Sequence, residues 1–306
     1  MPQLVRTSCV GVGLMALALS GCATTEVLAK KHKQRPTGSL RVVTYNIALG
    51  KWLTTHSPQL RRLGRDHSVL AALRAHPQLR DFDLLAVQEV CSDRNGEQLA
   101  ALARLAPYIA FERADPERDG ECRKGQALIS RYPIWATGRI DLPQLRRVGR
   151  SAMWADLVVP DSSGGMAPLR IYNLHLDNRG ESLFAAEGRW EQMQQVLEHI
   201  AVWREEHPDE ALLVVGDFNS LAYLAHPWLR ERTIVEMQRR FDSAIPEYAP
   251  THLLQYQLDW IFYERLQLQQ ATVVDLVRSD HYPVVAEFIV SPTLPHDVAE
   301  VTPEPH

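Results

Sequence analysis

The run ALLVVGDFN at 211–219 is an unbroken apolar stretch that ends in Gly216-Asp217-Phe218-Asn219. A short apolar run closed by glycine reads as a strand buried on both faces. Asp217 and Asn219 are two residues apart, so in extended chain a carboxylate and an amide face one side together. The same arrangement recurs along the chain, with polar residues at or just past the end of an apolar run. It is seen in Thr44-Tyr45-Asn46, Val87-Gln88-Glu89, Asn173-Leu174-His175 and Ser279-Asp280-His281. A further polar group, Leu258-Asp259-Trp260, lies inside a strand-like run. Strands are expected at 40–47, 84–90, 126–131, 152–159, 168–176, 211–216, 258–263 and 283–290. Helical patterns interleave with them. Ser57-Pro58 starts one that carries Leu60, Leu63, Leu70 and Leu73 on one face. Residues 187–205 space Trp190, Met193, Val196, Leu197, Ile200 and Val202 for another, with Pro208 just beyond. Mixed strands and helices make an α/β chain in which strand ends converge on a crevice.

The whole chain has 306 residues, 45% of them hydrophobic and 23% charged, which excludes a disordered, collagen-like or coiled-coil protein. The net charge is −4, and the segment 40–290 alone carries −5. Such a domain has no bulk electrostatic hold on nucleic acid. The stretch 23–39 is basic, with Lys30, Lys31, Lys33 and Arg35 against Glu26, and reads as a flexible tether. The tail 291–306 contains Pro292, Pro295, Pro303 and Pro305 and is expected to be disordered.

At the N-terminus, Arg6 precedes an apolar run from Val10 to Leu19. This run is too short to span a bilayer, which takes about 20 apolar residues, and has the form of a secretory signal. It ends in Leu19-Ser20-Gly21-Cys22, which resembles the lipobox of bacterial lipoproteins. That resemblance implies acylation of Cys22 after removal of residues 1–21, and a stable lipid anchor. Ala23 after the cysteine implies the outer membrane, facing the periplasm or the exterior. Cys91 and Cys122 then remain, either as a disulfide or as two separately buried thiols.

The polar groups at the strand ends make chemical sense together. Glu89 and Asp280 are hard oxygen ligands and Asn46 adds an amide oxygen, a set suited to Mg²⁺ or Mn²⁺ rather than zinc. His175 and His281 remain for proton work or for hydrogen bonding to an oxyanion. Asp259 is able to fix the tautomer of one of them.

Tyr45-Asn46, Gln88-Glu89, Asn173-Leu174-His175-Leu176, Gly216-Asp217-Phe218-Asn219, Leu258-Asp259 and Ser279-Asp280-His281-Tyr282-Pro283 resemble, in this order, the motifs of the endonuclease/exonuclease/phosphatase superfamily. The resemblance runs from Leu40 to Ile289. It implies a DNase I-like, four-layered α/β sandwich with two packed mixed β-sheets flanked by helices. It implies metal-site roles for Asn46, Glu89 and Asp280. His281, held by Asp259, resembles the histidine that activates water, and His175 the one that hydrogen-bonds the phosphate. Asp217 and Asn219 resemble the pair that orients the nucleophile and binds the phosphate. Gly125-Gln126-Ala127-Leu128-Ile129-Ser130 resembles a family strand with Gln126 in place of the usual asparagine. Arg189 and Gln192 resemble a structural Arg-x-x-Gln helix start.

The domain order expected is a signal at 1–21, a lipidated tether at 22–39, a catalytic domain at 40–290 and a tail at 291–306. The activity expected is metal-dependent hydrolysis of a phosphodiester by water, without a covalent intermediate. A lipid headgroup or small phosphodiester is favoured over nucleic acid, and no protein partner is predicted. The alternatives are a secreted nuclease of the same family and a non-catalytic envelope lipoprotein that uses the fold for binding. His252 is the histidine nearest the site motifs without a role of its own. Arg146, Arg147 and Arg150 form a basic cluster, and Arg179 lies four residues past His175.

Overall fold

A computed structural model describes residues 35–48, 67–93, 97–114, 122–144, 149–178, 183–221, 231–245, 247–276 and 278–292. Cys22, the helix start at Ser57, and Arg146, Arg147 and Arg179 lie outside these residues. The compact unit begins at Arg35. There the guanidinium makes paired bonds of 2.6 and 2.9 Å to Asp83.

Two six-stranded mixed sheets form the centre of the unit. The first contains β1 (Ser39–Asn46), β2 (Leu84–Asp93), β3 (Tyr108–Arg113), β4 (Cys122–Ser130), β11 (Leu266–Val273) and β12 (Val284–Val290), in the order β11-β12-β1-β2-β4-β3. The second contains β5 (Ile134–Asp141), β6 (Ser151–Pro160), β7 (Met166–His175), β8 (Ala211–Asp217), β9 (Asp242–Ser243) and β10 (Asp259–Glu264), in the order β5-β6-β7-β8-β10-β9. One parallel pair, β1 with β2, lies within the first sheet, and one, β7 with β8, within the second.

Strand alternation sorts the side chains into layers. Leu40, Val42, Leu84, Ala86, Leu169, Ile171, Leu213, Val215 and Ile261 meet in the core between the sheets. Val43, Tyr45, Leu85 and Val87 point the other way, onto α1 (His67–Ala75) and α2 (Glu97–Leu102), where Val69, Leu73 and Leu102 cover them. Tyr172, Leu174, Leu212, Val214, Trp260 and Phe262 face α3 (Leu183–Glu206) and α4 (Arg232–Arg240). On α3 the covering stripe is Trp190, Met193, Val196, Ile200 and Trp203, at helical spacing. The result is the expected four-layered DNase I-like sandwich. Cys91 on β2 is disulfide-bonded, and the register sets Cys122 opposite Asp93, two residues along.

Candidate active site

The inner-face parity that builds the core also builds the site. Continued along β1, the positions after Leu40 and Val42 are Thr44 and Asn46. On β2 the position after Ala86 is Gln88, and on β7 those after Ile171 are Asn173 and His175. On β8 the position after Val215 is Asp217, and on β10 the inner position before Ile261 is Asp259. Apolar residues therefore give way to polar ones on the inner face, at one end of both sheets. The register aligns three of them in a row, with His175 opposite Asp217 and Asp217 opposite Asp259. Gly216 permits this close pairing. Its φ is 134°, and a Cβ there would lie 2.1 Å from the Leu174 carbonyl oxygen.

Glu89 reaches the site by a different device. The β2–β4 register shifts between Val87 and Val90, and Glu89 takes a left-handed φ of 53°. A bulge of this kind re-aims a side chain. Gln88 keeps the inner face, and Glu89 turns so that its Oε1 lies 3.9 Å from His175 Nε2. Asn219 also has a left-handed backbone, with a φ of 48°. Its N–H donates to Asp217 Oδ1 at 2.9 Å, and its amide donates to the Leu176 carbonyl at 3.0 Å.

Asp217 is the hub. Its Oδ2 accepts from Asn46 Nδ2 at 2.8 Å and lies 3.5 Å from His175 Nε2 and 3.7 Å from His281 Nε2. Burial raises its pKa, with the Asp259 charge acting in the same direction against His281, to about 6. His281 Nδ1 bonds Asp259 Oδ2 at 2.7 Å. Burial alone would push this imidazole down, but Asp259 and then Asp217 outweigh it and raise it to about 10. The ring is thus protonated at neutral pH. Asp259 Oδ1 is buried and has no hydrogen-bond partner among the described residues. Burial, reinforced by the Arg150 and Lys124 charges, holds His175 well below its ordinary range, so that ring is neutral.

The loop bearing His281 is tied down on two sides. Ser279 Oγ donates to the Asn46 carbonyl at 2.8 Å, joining the loop to the end of β1. Tyr282 N donates to the Thr251 carbonyl at 2.7 Å, and Leu253 N to the Asp280 carbonyl at 2.9 Å. Thr251 Oγ in turn accepts from Leu258 N and Asp259 N, at 2.9 and 3.0 Å. Asp280 is more open, its Oδ1 lying 3.1 Å from Ser279 Oγ.

A polar seam between the sheets supports these groups. Gln88 Nε2 donates to Thr44 Oγ1 and to Asn173 Oδ1, at 3.0 and 2.7 Å. Gln126, where the family motif has asparagine, spans from β4 to the Ser151 carbonyl on β6. Behind the site, Gln192 Oε1 accepts from Asp177 N at 2.9 Å, and buried Arg189 pairs with Glu231 at 2.6 and 2.9 Å. Arg189 also donates to the Asp177 carbonyl at 3.2 Å. These two residues hold the turn that follows His175.

All eight residues singled out from the sequence, apart from Cys22, thus lie along this one end of the sandwich. Three-residue clusters able to hold a cation, with ligand atoms within 4.8 Å of one another among the described residues, are His252, Asp280 and His281, and Asp217, Asp259 and His281. Glu89 belongs to neither cluster and instead meets Lys124 Nζ at 3.2 Å. Lys124 belongs to none of the motifs quoted from the sequence. Its only signal is its place just before Gly125 on the strand beside Glu89. Arg150 proves to be a site residue, with Nη1 3.0 Å from both ring nitrogens of His175. A position equidistant from both nitrogens at that range lies off the ring plane, so the guanidinium rests on the imidazole face.

Residues 43–281 match the profile of the Endonuclease/Exonuclease/phosphatase family. A UPF0294 protein of Vibrio vulnificus strain YJ016 is 31% identical over 173 residues, which cover 55% of this chain and 53% of that protein. The chain therefore spans about half the length of the curated relative. Among solved structures, an endonuclease/exonuclease/phosphatase from Beutenbergia cavernae superposes with a TM-score of 0.62 at 19% identity, covering 83% of this chain and 72% of that one. The human Nocturnin catalytic domain with bound sulfate superposes with a TM-score of 0.59 at 19% identity, covering 82% and 93%.

Proposed function

The chain belongs to the endonuclease/exonuclease/phosphatase family, and on that premise we propose that it is a divalent-metal-dependent phosphodiesterase tethered to the cell envelope. Family membership supports phosphoester hydrolysis. The observation that carries the finer reading is the convergence on Asp217 Oδ2 of Asn46 Nδ2, His175 Nε2 and His281 Nε2, with Asp259 behind His281.

Asn46, Glu89 and Asp280 would hold the metal, because their donors are oxygens and suit Mg²⁺ or Mn²⁺. The Lys124 ammonium on Glu89 marks a place where positive charge is already stabilised. When bound, the ion would neutralise charge on the phosphate and on the leaving oxygen. The remaining roles belong to the chain. Neutral His175 and the Asn219 amide would donate to phosphoryl oxygens as charge develops there. His281 and Asp217 would handle the proton of the attacking water as a coupled pair, with Asp259 holding the imidazole in orientation. A sulfate in the Nocturnin domain is consistent with an anion site in this fold.

The acidic charge of 40–290 favours a lipid headgroup or small phosphodiester over nucleic acid. Acylation at Cys22 would supply the membrane anchor, placing the domain at the outer membrane, facing the periplasm or exterior.

The decisive assay takes the purified full chain in detergent. It presents bis-p-nitrophenyl phosphate, sphingomyelin and plasmid DNA with Mg²⁺, Mn²⁺ or EDTA, and uses His281→Ala as the blank. Metal-dependent turnover lost in the variant is expected. A folded, metal-loaded protein that hydrolyses none of them would sink the phosphodiesterase reading. For the tether, Cys22→Ser is expected to move the protein out of the membrane fraction.

A further inference from the structure

His252 belongs to none of the family motifs, yet the turn that carries it is tied to the loop bearing His281. It sits on a six-residue turn in which Thr251 N and His252 N both donate to the Tyr256 carbonyl, at 2.8 and 3.0 Å. Gln255 closes the turn with a left-handed φ of 64°. The turn is clipped to the catalytic loop, and His252 forms a backbone bridge with His281. The two rings meet edge to face at 74°, with centroids 4.9 Å apart.

The proton on this ring is placed by its neighbours. Leu254 N–H donates to His252 Nδ1 at 3.1 Å, so Nδ1 is an acceptor and a neutral ring carries its hydrogen on Nε2. Nε2 points to the Asp280 side of the site. Its nearest carboxylate oxygen there, Asp280 Oδ2, is 4.0 Å away, beyond hydrogen-bond range. Among the described residues this N–H has no hydrogen-bond partner. The same geometry argues against His252 as a metal ligand. Ligation through Nε2 requires the proton on Nδ1, where it would collide with the Leu254 N–H.

We propose that His252 is an additional catalytic residue, whose Nε2–H donates a hydrogen bond to one non-bridging oxygen of the scissile phosphate, on the Asp280 side. This rests on the phosphoester reading above. His175 serves the opposite side of Asp217, so the two neutral imidazoles would flank the phosphoryl group. No proton is transferred by His252. Its contribution is a fixed donor that strengthens as charge grows on the oxygen.

Two measurements test this, both on the full chain. In the first, His252→Ala is compared with His252→Gln on a phosphodiester and on the two diastereomers of its phosphorothioate. Loss of one such donor costs about 10²-fold or more in turnover. The alanine variant is expected to lose that much, mainly in kcat, and glutamine is expected to restore part of it. Sulfur accepts hydrogen bonds poorly, so the loss should shrink for one diastereomer and persist for the other. An equal loss on all three substrates, without rescue by glutamine, would make His252 merely structural. The second measurement is independent of turnover. Imidazole proton–nitrogen correlation spectra should show His252 as the Nε2–H form, with that proton shifting when orthovanadate is added. An Nδ1–H form, or an unmoved signal with vanadate bound, overturns the proposal. Should the wild type hydrolyse nothing, the phosphoester reading falls, while these spectra still decide the role of His252.

Discussion

The second sheet buries charge on both of its faces, and the two burials are built differently. On the outer face, Arg170 makes paired bonds to Asp156 of 2.5 and 2.6 Å. Its guanidinium lies 4.2 Å from the Trp154 ring centroid and 4.7 Å from that of Trp203, beneath α3. One charge meets one charge, each carboxylate oxygen has a donor, and aromatic faces cover the rest. On the inner face, Asp217 and Asp259 share a single imidazole, and Asp259 Oδ1 has no donor among the described residues. Here the pKa values are displaced, with Asp217 pushed up to about 6 and His281 to about 10. A buried pair that is complete holds the fold. A buried cluster that is incomplete stores electrostatic imbalance where a phosphate and a cation would relieve it.

Substitution should separate the two. The largest expected effect is on turnover, from Asp259→Asn. An amide cannot balance the imidazolium, so turnover should fall by about 10²–10⁴-fold, the range for general acid–base groups. Stability should fall by less than the roughly 3–5 kcal/mol of a broken buried pair, because Asp217 still faces the imidazolium. Chemical denaturation beside a turnover assay reads both quantities. Activity retained within about tenfold would remove Asp259 from the chemistry.

The outer pair should behave in reverse. Asp156→Ala leaves Arg170 charged beneath α3, and breaking such a pair costs about 3–5 kcal/mol of stability. Turnover per folded molecule should not change. Replacing both partners together, with Arg170→Met and Asp156→Leu, should recover most of the loss, since an apolar pair of similar volume substitutes well for a buried ion pair. A double variant no more stable than Asp156→Ala would mean that the aromatic stacking of Arg170, rather than its charge pairing, holds this face.

Which parts of this were legible in the sequence follows the same physics. All eight strands read from apolar runs are present, and all eight are interior strands or lie next to an edge. The four strands that reading missed are β3, β5, β9 and β11, which are the four edges of the two sheets. Their residues are half-exposed, as in the mixed pattern of Leu266–Val273, so no run of Val, Ile or Leu announces them. The site was legible for a related reason. Its residues occupy the inner-face parity of long apolar strands, so an abrupt change to polar types stands out. Glu89 was found by its motif, while the bulge that delivers it carries no signal in residue type. Lys124 and Arg150 reach the site through their length, from positions that look like ordinary surface charges.

The two faces should also differ in their response to pH, the smallest of the expected effects. His281 in the folded protein holds its proton to about pH 10, against an ordinary value of 6.5. The folded state therefore binds a proton that the unfolded chain has released, and the stabilisation is complete below the lower value and lost as pH rises through the upper one. Asp217 acts in the same direction in the window below, between 3.8 and about 6, because its raised pKa also favours the protonated folded form. Arg170 contributes nothing to this slope, since it is held above its already high ordinary value. The metal-free protein should accordingly lose stability between about pH 6.5 and 10, with a slope below about 1.4 kcal/mol per pH unit for this one group. Denaturation series in EDTA at stepped pH measure it. Asp259→Asn should flatten the slope, because the carboxylate that chiefly sustains the imidazolium is gone, and Asp156→Ala should shift the curve without changing its steepness. An unchanged slope in Asp259→Asn would place the alkaline loss elsewhere and leave the inner cluster no more pH-sensitive than the outer pair.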